Sequence, residues 1–228
     1  MKIENIEVYG FSSSFRGMRN PLESWDKSDS RFNTHWENDE GSWPNTFGTI
    51  MALDCAEIGP NDLKLALKLI KGGSEHRKFL RQIQIWVDLT LPIYIWAELD
   101  TYKVATVRDS CSTMHKLGSR DLTQEDFELP IPESYLSLLN LMGTEMRALA
   151  LIKESKRVND IRREYKNALP CGYLLKSTYT MNYETAMSMY FQRRTHRLPE
   201  WREDNPNSIC SFIKALPYMK EFINAAEK

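Results

Sequence analysis

Cysteine is scarce in this chain. Four occur in 228 residues, at Cys55, Cys111, Cys171 and Cys210, and no two of them form a C-x-x-C pair. That spacing suits neither a zinc ribbon nor a disulfide framework. Separated thiols of this kind belong to a reducing compartment. Histidine is as sparse, and His35, His76, His115 and His196 are too scattered to suggest a metal site. No long hydrophobic run occurs. The most apolar stretch, Leu89 to Ala97, is bounded by Asp88 and Glu98 and falls far short of the ~20 residues that span a bilayer. The opening Met1-Lys2-Ile3-Glu4-Asn5 lacks the apolar core of a signal peptide. Together these absences predict a soluble cytoplasmic protein. The phosphate loops G-x-x-x-x-G-K-S/T and G-x-G-x-x-G are missing, as are the G-x-S-x-G nucleophile turn and H-E-x-x-H.

Excess charge of one sign is also lacking. Lys and Arg total 30, Asp and Glu 31, for a net charge of −1. A protein that coats polymeric nucleic acid draws its affinity from many cation–phosphate contacts, so this balance argues against one. The neutrality is a cancellation, however. Residues 1–62 hold 5 Lys/Arg and 11 Asp/Glu, whereas residues 153–202 hold 11 Lys/Arg and 5 Asp/Glu. Most such charges are solvated helix faces, but a local cluster in the basic stretch suffices for a small anion.

Hydrophobic residues make up 42% of the chain, enough to build a core without staples, and a single domain over residues 1–228 is expected. Alternation predicts a strand at Ile3–Tyr9 and another around Ile83, Ile85 and Val87. Between Gly10 and Gly48 neither period is evident, and Trp25, Trp36 and Trp43 stud what reads as a long loop. Asn61 or Asp62 is expected to cap a helix carrying Leu63, Ala66, Leu67 and Ile70, stopped by Gly72-Gly73. Pro92 to Trp96 reads as a β-rich or buried continuation, with a helix from Glu98 onward. Leu136, Leu139, Met142, Met146, Leu149 and Ile152 recur at helical spacing and predict one long helix ending before Pro170. Asn182 is expected to cap a helix running to about Arg194, with Glu184 in its first turn. A last helical stretch follows Pro206. Few strands, many helices and no βαβ rhythm predict an α+β fold, mostly helical, with a small, mainly antiparallel sheet.

Two clusters mix cations with reactive groups. One runs from Lys103 to Arg120 and includes Arg108, Asp109, Ser110, Cys111, Ser112, His115 and Lys116. The other is Gln192-Arg193-Arg194-Thr195-His196-Arg197. Arginine grips phosphates and planar ring edges through its rigid fork, although basic residues at a helix C-terminus also simply complement its dipole.

At these clusters the sequence resembles the flavin-dependent thymidylate synthases. That family carries R-H-R-x-x-S-x-N-E-x-S-x-R-Y after a His, an apolar alternation and a Pro. His76, the alternation Ile83, Ile85, Val87, and Pro92 fall at those places, and the signature positions read Thr101 through Met114. A second block matches at Leu169-Pro170, Asn182 and Arg193, with Lys166 at a family Arg position and Glu184 at the third position of N-A-R. His196 and Glu200 match a downstream His and Glu. The chain departs from the signature in its first two cations, now Thr101 and Tyr102. Asp109 replaces the Glu, Cys111 the active-site Ser, and Thr113 a nucleotide-phosphate Arg.

The resemblance implies a homotetramer with FAD as cofactor, methylenetetrahydrofolate as one-carbon donor and NADPH as reductant. The acceptor is C5 of dUMP or a related pyrimidine nucleotide. It assigns Arg193, which stabilises the ionised pyrimidine edge, and Cys111 to catalysis. It assigns Glu98, Asp109, Ser110, Cys111, Ser112, Thr113, Lys166 and Arg193 to substrate binding, and His76, Lys78, Thr101, Tyr102, Lys103, Asn182, Glu184 and Ser188 to the flavin. No metal, membrane or polymeric nucleic acid is expected. Methylation of dUMP is the default reaction. Hydroxymethylation of dUMP or dCMP fits the altered signature, and the missing arginines suit a non-catalytic nucleotide-binding relative.

Overall fold

The computed structural model describes residues 1–32, 42–45, 47–52, 54 and 57–227. Of the tryptophan-studded segment, Trp36 lies outside the described residues, as do His35 and Cys55. The chain forms two compact units that interleave along the sequence. The first comprises Met1–Lys2, Leu89–Thr101 and Asp109–Ser177, the second Ile3–Asp88, Tyr102–Arg108 and Thr178–Lys228.

The strands are β1 (Lys2–Tyr9), β2 (Ser42–Asn45), β3 (Gly48–Ala52), β4 (Gln84–Pro92), β5 (Val107–Ser110) and β6 (Leu174–Asn182). They form a sheet in the order β2-β3-β1-β4-β6-β5. With the helices below, this is an α+β fold. The sheet is mixed, since β2 pairs antiparallel to β3 but β1 pairs parallel to β3, with Ile6 opposite Ile50. Parallel neighbours need a crossover, and here the connection carries helix α1 (Phe11–Met18). The expected long loop therefore begins with a helix. Its signal is present, for Phe11, Phe15 and Met18 sit at i, i+4 and i+7 and are all buried. Three consecutive serines obscure it, being indifferent helix formers.

What starts α1 comes from far along the chain. The Asp54 carboxylate accepts from the backbone N–H groups of Gly10 and Phe11, both at 3.1 Å, and of Ser12 at 2.9 Å. Gly10 has φ +110°, and a Cβ there would stand 2.3 Å from the Gln82 carbonyl oxygen. Gly10→Ala is therefore expected to lower stability by about 1–3 kcal/mol from backbone strain, before any clash. A fall in the urea midpoint checks this.

Helix α2 (Pro60–Lys71) starts one residue before the expected cap, with Gly59 at the N-cap. Its free N–H groups at Asn61 and Asp62 donate to the Asp29 carboxylate at 2.9 and 3.1 Å. Asp62 instead turns inward and is fully buried. It pairs with the Arg19 Nε at 2.6 Å and accepts from the hydroxyls of Ser28 (2.7 Å) and Ser30 (2.6 Å). Within the second unit α2 packs on α9 (Met219–Ala226), and α7 (Tyr183–Arg193) packs on α8 (Ile209–Ala215). Edge-on aromatic contacts join α1 to α7 (Phe11–Tyr183, 5.5 Å), and α1 through Phe79 to α9 (Phe15–Phe79 at 5.8 Å, Phe79–Phe222 at 6.2 Å).

In the first unit β4 gives way directly to α3 (Ile93–Leu99). The stretch read as β-rich or buried is thus helical, with Ile95 and Trp96 buried, and the helix expected from Glu98 onward ends there, with Asp100 as its C-cap. Pro92 ends the strand while its extended backbone (φ −65°, ψ 151°) serves as the N-cap. The Trp96 indole N–H reaches the Leu175 carbonyl at 2.8 Å. The one long helix expected before Pro170 is two: α5 (Glu133–Leu151) and α6 (Ser155–Ala168). Lys153 at φ 62° makes the break, and the last periodic position, Ile152, is exposed. The two helices bury Leu136, Leu139, Met146, Ile161 and Tyr165 with Leu117, Leu122 and Phe127. Leu139→Ala is expected to cost about 2–5 kcal/mol, read as an earlier thermal transition. Among the described residues no helix is long and apolar enough to cross a membrane.

Candidate functional site

In the second unit a group of polar and aromatic side chains gathers at the C-terminal end of α7. The helix starts as its sequence requires, with the Asn182 side chain accepting from the Thr185 N–H at 2.8 Å. Eleven residues on, Arg193 lies in the last turn. Tyr102 comes to it from the segment Tyr102–Arg108. That segment is folded back by Thr106, whose hydroxyl donates to the Tyr102 carbonyl. It is also tied to α7 by the Thr185 hydroxyl on the Val104 carbonyl at 3.3 Å.

The Arg193 guanidinium is held on several sides. Its Nε–H donates to the Tyr102 hydroxyl at 3.0 Å, and that hydroxyl donates onward to the Gln192 Oε1 at 3.0 Å. Its Nη1 stands 3.1 Å from the His196 Nε2. The guanidinium carbon lies 5.1 Å from the Trp201 ring centre and 5.8 Å from that of Tyr102, within cation–π range. Trp201 is fully buried and also meets His196 edge-on at 6.4 Å. The His196 Nδ1 faces the Leu198 N–H at 3.3 Å. The arrangement fixes a permanently charged planar fork, which can hold negative charge as it develops on a flat ring edge.

The other flavin-assigned residues of this unit divide in two. Glu184 is bound to Arg77, which the sequence reasoning missed, through contacts of 3.1 and 2.9 Å from Nε to its two oxygens. Its only signal was a cation between His76 and Lys78. Asn182 is buried and spends its side-chain oxygen on the helix cap. His76, Lys78 and Lys103 are exposed, and Ser188 is half-buried on α7.

In the first unit Thr101 donates its hydroxyl to the carbonyl of Glu98 at 2.7 Å. Glu98 itself is half-buried in α3. Asp109 and Ser110 are exposed on β5. Cys111 is exposed, and its N–H donates to the Lys176 carbonyl at 2.9 Å. Ser112 and Thr113 are half-buried at the start of α4 (Thr113–Lys116). Lys166 is exposed in the last turn of α6. Arg120, at the end of the first cation cluster, is engaged by Asp126, whose carboxylate raises the guanidinium pKa. The side chain of His115 lies outside the described residues. By contrast with Cys111, Cys210 is buried against α7 and its thiol is pushed up to about 12 by burial and by Glu203, which makes it inert as a nucleophile.

No family model matches the chain, and no curated protein matches it in sequence. Two crystal structures of the flavin-dependent thymidylate synthase of Helicobacter pylori, each complexed with FAD and dUMP, are similar in fold. One has a TM-score of 0.61 at 15% identity, covering 100% of this chain and 98% of that one. The other has a TM-score of 0.60 at 14% identity, covering 99% of this chain and 100% of that one. At such identity the likeness concerns the fold, and the chain has the fold of those enzymes over its full length.

Proposed function

We propose that the chain is a flavin-dependent enzyme of the thymidylate synthase type, transferring a one-carbon unit from methylenetetrahydrofolate to C5 of a pyrimidine deoxynucleotide, by default dUMP to dTMP. The observation that carries this reading is Arg193, held as a fixed guanidinium by Tyr102, His196 and Trp201 at the position the resemblance gives to the pyrimidine edge. Attack from C5 needs electron density pushed into the ring, and a cation at the N3–O4 edge holds the anion that results. Lys166 is exposed and suits the nucleotide phosphate.

The residues present fit FAD in part. His76, Lys78 and Lys103 are exposed and suit its pyrophosphate. Thr101, Tyr102, Asn182 and Glu184 are engaged within the protein. When bound, FAD supplies the reducing equivalents, with NADPH as their source. A homotetramer is the assembly proposed with this reading. The engaged residues also favour a second reading, a nucleotide-binding relative without catalysis. A fluorescence titration with FAD separates the two. Saturable quenching, strengthened by dUMP, is expected for the enzyme. No quenching, together with dUMP binding, selects the non-catalytic relative.

A further inference from the structure

The resemblance gives the Tyr102 position to the flavin, but the contacts around it point elsewhere. The hydroxyl makes two hydrogen bonds, accepting from the Arg193 Nε at 3.0 Å and donating to the Gln192 Oε1 at 3.0 Å. Its ring also lies 5.8 Å from the same guanidinium. Gln192 and Arg193 are adjacent in α7, so one phenol binds two consecutive side chains of that helix end. The segment bearing Tyr102 is itself pinned to α7 by Thr185 on the Val104 carbonyl. An arginine side chain loses much rotamer freedom when it is fixed. Here Tyr102 at Nε and His196 at Nη1 remove that freedom before any ligand arrives.

We propose that Tyr102 is a positioning residue for Arg193 and not a flavin contact: its hydroxyl sets the rotation of the guanidinium and thereby the affinity for the pyrimidine ring. The loss of the first two signature cations then has a local counterpart, since the side chain in the second of those positions orients the ring-binding arginine. The inference rests on Arg193 being the residue that meets the pyrimidine edge.

Tyr102→Phe removes the hydroxyl and keeps the ring. Four readouts are compared with wild type: the melting temperature, dUMP affinity by calorimetry, FAD affinity by fluorescence, and the Arg193 Nε–H signal in arginine-selective nitrogen NMR. The variant is expected to melt within a few degrees of wild type and to keep its FAD affinity. A hydrogen bond to a charged group accounts for about a tenfold change or more, so dUMP is expected to bind about tenfold more weakly. The Nε–H signal is expected to lose its protection from solvent exchange. Tyr102→His, which restores a polar ring, is expected to recover part of the dUMP affinity. Unchanged dUMP affinity in Tyr102→Phe, or a loss confined to FAD, overturns the proposal. If wild type binds no dUMP, the functional reading fails on its own. The NMR signal then still decides the positioning role, and a protected Nε–H in Tyr102→Phe overturns it.

Discussion

Arg193→Ala is expected to lower pyrimidine nucleotide turnover by about 10²–10³-fold, the loss typical of removing one transition-state donor, while the protein stays folded. The fold is expected to survive because Arg193 is only half-buried, in the last turn of α7. The groups it leaves behind are satisfied or accessible. Tyr102 keeps its bond to Gln192, His196 is half-buried, and Trp201 is already sealed in the core. Arg193→Lys separates charge from geometry. An ammonium keeps the charge but has no fork to match a ring edge, and no Nε for the Tyr102 hydroxyl. Its turnover is expected to lie nearer to the alanine variant than to wild type. Steady-state rates beside melting curves check both, and a near-wild-type rate for Arg193→Ala would contradict the assigned role.

The largest expected effect on stability lies elsewhere, at Asp62. Asp62→Ala is expected to destabilise the protein by about 3–5 kcal/mol, the penalty for leaving one partner of a buried ion pair alone. Arg19 is 4% exposed and Asp62 fully buried. The carboxylate also gathers the Ser28 and Ser30 hydroxyls and the N–H groups of Asp29 and Ser30. Burial by itself would raise the Asp62 pKa, but hydrogen bonds from Ser30, Ser28 and Arg19, with the Arg19 charge, bring it below its ordinary value. A carboxyl with a lowered folded-state pKa binds fewer protons folded than unfolded. Its contribution is therefore fully present above the unfolded value of about 4 and is lost as pH falls through the folded one. The stability gap between wild type and Asp62→Ala is expected to be constant near neutrality and to shrink below about pH 4. Urea unfolding at both pH values measures it.

Much of the fold was legible because its signals are local. β1 and β4 follow from alternation, α2 ends at its glycines, and α7 begins at its own Asn182 cap. The misses have a common cause, information carried by distant residues. α1 and α2 receive their caps from Asp54 and Asp29, and no window around either helix contains the capping carboxylate. The split between α5 and α6 misled for another reason. The apolar period runs on to Ile152 although that residue faces solvent, so periodicity alone overran the helix end. At the candidate site Arg193, Tyr102 and His196 were each reachable by motif position, whereas their contacts with one another were not. Tyr102 lies 91 positions away and meets Arg193 only through the fold. Arg77 carries no motif at all, yet it holds Glu184.

The central claim is that this chain adds a one-carbon unit to C5 of a pyrimidine deoxynucleotide. The most direct test supplies the purified protein with FAD, NADPH, methylenetetrahydrofolate and either dUMP or dCMP, and identifies the nucleotides by mass. The expected result is a methylated dUMP that forms only when FAD and the folate are both present and forms about 10²–10³-fold more slowly with Arg193→Ala. A hydroxymethylated product would keep the one-carbon chemistry and change only its end point. Recovery of unmodified dUMP and dCMP from every complete mixture would contradict the claim.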